Sequence, residues 1–174
     1  MSHTAFAAIR LSHLLLALAI VLPGGAALAH QHGDHPPAPD SLLNGSEPRG
    51  VIAKSIREEK LSEGVDSNNL AFVVMRTTRA PGTRTPIHQH DFGGTTCVLA
   101  GQMTLFLEGA EPRTAVAGEC YYMPSGKRMA GSNTGTDNAV MLDIFHLPQG
   151  QPVWRVVEEA GKALQNQFAE TGKP

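Results

Sequence analysis

Hydrophobic and polar positions alternate in short runs through the middle of this 174-residue chain. The stretches 51–56, 69–78, 87–90, 95–99, 102–108, 119–123 and 138–147 are rich in β-branched and apolar residues, with Gly, Pro, Asn or Asp between them. Short runs at this spacing predict an all-β antiparallel sandwich or barrel. No helical period of useful length precedes residue 150. Beyond Pro152, Trp154, Val157, Gly161, Leu164 and Phe168 recur at steps of three and four. That stripe predicts one C-terminal amphipathic α-helix lying on the outside of the barrel, or else joining two copies in a homodimer.

The first residues follow another pattern. A polar start with Arg10 leads into an unbroken apolar run, Leu14 to Leu22, then Pro23-Gly24-Gly25 and Ala27-Leu28-Ala29. This is the layout of a cleaved secretory signal over residues 1–29. The apolar run is too short to cross a bilayer, so no stable membrane anchor is expected after cleavage. The expected compartment is periplasmic or extracellular. The expected organisation is then a His- and Pro-rich disordered tail and linker over 30–49, a barrel over 50–148, and the helix with its tail over 149–174.

Composition narrows the partners. A formal charge of −2 with 17% charged residues leaves no basic stripe for phosphates, so nucleic acid is excluded. A hydrophobic content of 41% supplies a core and argues against disorder throughout. Cleavage after Ala29 would expose His30-Gln31-His32 at a free amine. His at the third position lets an amine, amide nitrogens and an imidazole surround Cu(II) or Ni(II), making His30 and His32 a candidate tail site. A solvated tail without a role is the alternative.

Two segments carry the chemistry. In a strand, alternate side chains share a face, so His88 and His90 aim both imidazoles at one point. The spacing Gly82, His88, His90, Gly101, followed by Gly118, Pro124, Gly126, Asn133, resembles the two signature motifs of the cupin family, small jelly-roll barrels of the cupin type-2 conserved kind. The resemblance implies a jelly-roll (double-stranded β-helix) fold for roughly residues 50–148. It also implies a metal held by two His of the first motif, a Glu, and a His of the second. Here the Glu position is Gly94 and the second-motif His position is Met129. Asp91 is the nearest acid, but it should point to the opposite face from its neighbour His90.

What remains is two imidazoles and a thioether. Mn(II), Fe(II) and Zn(II) gain little from Met, whereas Cu(I) suits such a set, so a His88, His90, Met129 site favours copper. The alternatives are a metal-free barrel binding an organic ligand, with Met129 as apolar filling, and a metal-dependent small-molecule enzyme of oxygenase, isomerase or decarboxylase type. No catalytic acid or base stands out. In the jelly roll that the resemblance implies, residue 97 lies across from about residue 121, which makes Cys97 and Cys120 disulfide candidates. A reduced thiolate adding a soft ligand is the other reading. Tyr121, Tyr122, Phe92, Phe106 and Met123 are expected mostly in the core, His146 at a strand edge, and Arg84, Lys127 and Arg128 on a solvated face.

Overall fold

The structure is a computed structural model that describes residues 39–164. The signal expected over 1–29, the tail candidates His30 and His32, and Phe168 lie outside the described residues. Among the described residues twelve strands run in order. The first six are β1 (Val51–Ile52), β2 (Arg57–Val65), β3 (Leu70–Arg79), β4 (Thr83–Arg84), β5 (His88–Gln89) and β6 (Gly94–Ala100). The others are β7 (Gln102–Leu107), β8 (Arg113–Val116), β9 (Cys120–Met123), β10 (Met129–Ser132), β11 (Ala139–Pro148) and β12 (Arg155–Val156). One sheet has the order β2-β3-β11-β6-β9; the other runs β1-β4-β10-β5-β12, with β7 joining β10 to β8. The fold is all-β, as the alternating runs predict, and has the jelly-roll arrangement that the resemblance implies.

Alternation explains the layering. Along β3, Ala71, Val73, Met75, Thr77 and Arg79 are buried while Phe72 is exposed; along β11, Ala139, Met141, Phe145 and Leu147 are buried. The apolar ones among the buried side chains meet Met103, Leu105, Ala115 and Met129 of the other sheet in one core. The two motif segments are knitted by hydrogen bonds from the backbone and from the Gln89 side chain. Gly126 N–H donates to the His90 carbonyl at 2.9 Å, and the Gln89 amide donates to the Gly126 carbonyl at 2.7 Å. Asn133, fully buried, donates to the carbonyls of Arg79 and Asp137 and accepts from Gly135 N–H, so it shapes the loop that leads into β11.

Three expectations are corrected. The α-helix beyond Pro152 is absent among the described residues: 155–156 pair as β12 with β5, and Glu159–Leu164 forms a single 3-10 helix. Trp154, Val156 and Glu158 are the buried positions, a period of two. Gly161 packs where a Cβ would stand 2.0 Å from the Pro86 side chain. The stretch 39–49, expected as loose linker, holds on to the barrel instead. Leu43 packs with Ile87 and Ala130, and the Asn44 amide donates to the carbonyls of Leu107 and Ala110. Finally, Arg84 is not solvated but buried, in a bidentate pair with Glu158 at 2.7 and 2.8 Å.

Candidate functional site

Between the two sheets lies a cavity of about 60 Å³. His88 and His90 enter it from β5 and the turn that follows, and both rings are buried. The His88 Nδ1 lies 2.8 Å from the Pro86 carbonyl and the His90 Nδ1 lies 2.5 Å from the Val153 carbonyl. A carbonyl only accepts, so each Nδ1 carries the proton and each Nε2 is left as a lone pair. Those two lone pairs face one another at 3.1 Å. Two acceptors in such contact repel unless a proton or a cation stands between or beside them.

Burial holds both imidazoles neutral. Desolvation pulls the His88 pKa well below the ordinary histidine value, and the charges of His90 and Arg79 push in the same direction. Desolvation also lowers His90, against a counteracting bond to Val153. The Trp154 ring meets His88 edge-on at 4.8 Å and the Phe145 ring lies 5.2 Å from His90. Met129 is the cross-strand partner of His88 and is fully buried, so the two side chains share the cavity face.

The Gly94 position is filled by its neighbours. A Cβ there would stand 2.8 Å from the Phe145 ring and 3.0 Å from the Met123 methyl. Asp91 turns away from the cavity and pairs with Arg155 at 3.1 Å. Among the described residues no group of three or more His, Cys, Asp or Glu converges on a metal position. A hard-ion shell of three His and a Glu therefore does not fit these residues. Thioethers surround the two imidazoles instead: Met103, Met123 and Met141 line the cavity together with Met129, a donor set softer than carboxylates.

Sequence reasoning missed the polar wall opposite. Asp143 lies on β11 between Met141 and Phe145, where it accepts the Thr77 hydroxyl at 2.7 Å and the Thr96 hydroxyl at 2.6 Å. Arg79, buried at the end of β3, donates to the Ala53 carbonyl at 3.0 Å and the Ser55 hydroxyl at 3.2 Å. Burial pushes the Tyr121 hydroxyl well above the usual phenol range. The available signal was a charge at an inward position of an alternating strand, as at Arg79 and Asp143. Tyr122 and Phe92 are exposed, and His146 sits at the surface 3.0 Å from Asp66. Cys97 and Cys120 are directly opposite one another on β6 and β9 and are joined by a disulfide, so neither is a thiolate facing the cavity.

Residues 75–145 match the family model described as a cupin domain. This stretch is similar to a cupin domain, and the match covers less than half of the chain. Among similar solved structures, the DMSP lyase DddQ from Ruegeria pomeroyi DSS-3 is 23% identical over 59% of this chain and 51% of that one, with a TM-score of 0.48. A cupin 2 conserved barrel domain protein from Salinispora arenicola CNS-205 is 24% identical over 66% of this chain and 82% of that one, with a TM-score of 0.43. An RmlC-like cupin family protein with a double-stranded β-helix fold from Methanocaldococcus jannaschii is 18% identical over 59% and 91%, with a TM-score of 0.44. The chain spans about half the length of the lyase it resembles. No curated protein matches the sequence.

Proposed function

We propose that this cupin-like barrel binds one soft cation, copper(I), through His88, His90 and the Met129 thioether, as a binding protein of an oxidising compartment. The observation that carries the reading is the facing pair of Nε2 lone pairs at 3.1 Å, each left unprotonated by a backbone carbonyl on its Nδ1. A cation relieves that repulsion, and the thioethers around it select for softness. The bound ion would supply a one-electron centre; the protein's part is to fix both ring orientations through Pro86 and Val153. The disulfide and the signal-like start support a periplasmic or secreted location. The tail nitrogens of His30 and His32 are proposed as a second, separate site.

The test is copper(I) loading of chelator-treated protein against a colorimetric competitor, with His88→Ala, Met129→Leu and a variant lacking residues 30–35. One equivalent lost in His88→Ala and weakened in Met129→Leu, but kept without the tail, is the expected result. Copper lost only with the tail would move the site to the terminus, and stoichiometric iron or manganese in every variant would reject copper. A second reading, a barrel for an organic ligand, is favoured by the buried Arg79 on the cavity wall.

A further inference from the structure

Among the described residues two arginines are buried, and they are treated differently. The Arg84 guanidinium meets the Glu158 carboxylate in a bidentate pair, with both side chains shielded from solvent. Arg79 is as deeply buried, at 4% relative exposure. Its donors reach only neutral acceptors, the Ala53 carbonyl and the Ser55 hydroxyl. Among the described residues no carboxylate forms an ion pair with it within 4.0 Å. Glu58 stops at Ser55, to which it is hydrogen-bonded, and Asp143 has both oxygens held by Thr77 and Thr96. Both carboxylates act on Arg79 only through space.

A guanidinium stays protonated even when burial lowers its pKa, as burial does here. An ion out of water and out of contact with a counter-ion is costly, and a fork of N–H donors matches a carboxylate in shape as well as in charge. Arg79 lines the same cavity as His88 and Trp154. Its charge is felt at His88, where it opposes any added positive charge. An anion placed beside Arg79 would neutralise that field.

We infer that the cavity is a binding site for a small monocarboxylate, its carboxylate on Arg79 and its apolar body against the Met103, Met129 and Met141 side chains. Asp143 on the wall sets the count of charges: one anionic end is neutralised by Arg79, and a second would face a carboxylate. Size follows from volume. Against a cavity of about 150 Å³ that takes benzene, one of about 60 Å³ admits a ligand of only a few non-hydrogen atoms. Acetate is of that scale, and propionate and butyrate test how far the site extends. The carboxylate contact on Arg79 does not involve the Nε2 atoms, although Met129 lines both this site and the proposed copper site.

The chain's one tryptophan is Trp154, a wall of this cavity, so its fluorescence reports entry. The full chain, stripped of metal with a chelator, is titrated with sodium acetate, propionate and butyrate, and in parallel with acetamide, propionamide and butyramide, at constant ionic strength. Saturable quenching or shift by the carboxylates at concentrations about tenfold lower than by the amides is expected. Arg79→Met should weaken carboxylate binding about tenfold or more while leaving the amide response unchanged. Removing an unpaired charge from a buried position is compatible with folding, and the acid-against-amide comparison needs no variant at all. Equal binding of acids and amides, an unaltered carboxylate response in Arg79→Met, or no saturable response to any of the three acids would each overturn the inference. Copper loading is measured on the same preparation. Carboxylate binding with no copper binding rejects the metal reading and keeps this one, and the reverse result does the opposite.

Discussion

At the scale of single residues, the site is made by what two carbonyls do to two imidazoles. Pro86 and Val153 each hold an Nδ1 proton, and desolvation keeps both rings neutral. An unfolded chain accepts protons on these histidines near pH 6.5, while the native chain accepts them only at lower pH. Within that window the unfolded state binds more protons, so stability rises with pH and is lost as pH falls below about 6.5. In metal-free protein the urea midpoint should fall between about pH 7.5 and 5.5, and His88→Gln should reduce that fall; an undiminished fall in the variant would assign it to other groups. The pairing of His88 with His90 was legible from HxH spacing alone. The Gly94 departure was legible as a missing ligand, but its cause was not, because Phe145 reaches it from a strand far away in sequence. Gly94→Ala places a Cβ 2.8 Å from the Phe145 ring and should cost about 1–3 kcal/mol, relieved in part by Phe145→Leu, as read by denaturant unfolding.

At the scale of elements, the segment 153–158 is the strap that finishes the site. It provides the Val153 carbonyl to His90, the Trp154 ring to His88, and β12 to the edge of β5. Its sequence reads equally as a helix stripe, since Trp154, Val157 and Gly161 fall at helical steps. The helical reading fails because Glu158, which lies off that stripe, is buried against Arg84, which restores a period of two through Trp154, Val156 and Glu158. A buried ion pair between positions far apart in the chain leaves no local trace. Highly charged β2 was missed for a related reason: it lies at the end of its sheet, where charged side chains suit an edge strand. Glu158 also accepts the Ile87 N–H at 2.7 Å. Glu158→Ala thus leaves a buried guanidinium without its counter-ion and a backbone donor without its acceptor and should cost about 3–5 kcal/mol, measured by urea unfolding. Because the strap orients His90, weaker copper binding should accompany the loss even where the variant is fully folded; unchanged copper affinity would show that the strap plays no part in the site.

At the scale of the whole molecule, the alternating runs and the motif spacing made the barrel legible, but the cavity between its sheets was not, since it depends on how two sheets come together. The disulfide belongs to this scale as well. It links β6 to β9, and β9 is the outermost strand of its sheet, held there by β6 alone, while carrying Tyr121 and Met123 into the cavity wall. Cys97 and Cys120 are separated by 23 residues, and cross-linking a loop of that length stabilises a fold by about 3 kcal/mol, chiefly by restricting the unfolded chain. Cys120 is exposed and Cys97 is half-buried, so a soluble reductant reaches the bond. Reduction, or a Cys97→Ser/Cys120→Ser double variant, should lower the midpoint of thermal unfolding by roughly 10 °C. The cavity should loosen with it, because the wall strand loses its covalent hold: Trp154 fluorescence of the reduced protein, taken well below the transition, should shift toward that of a wetter indole. A double variant that melts within about 2 °C of the parent would mean that the unpaired edge is held by its backbone ladder and side-chain packing instead, with the disulfide contributing nothing to the shape of the site.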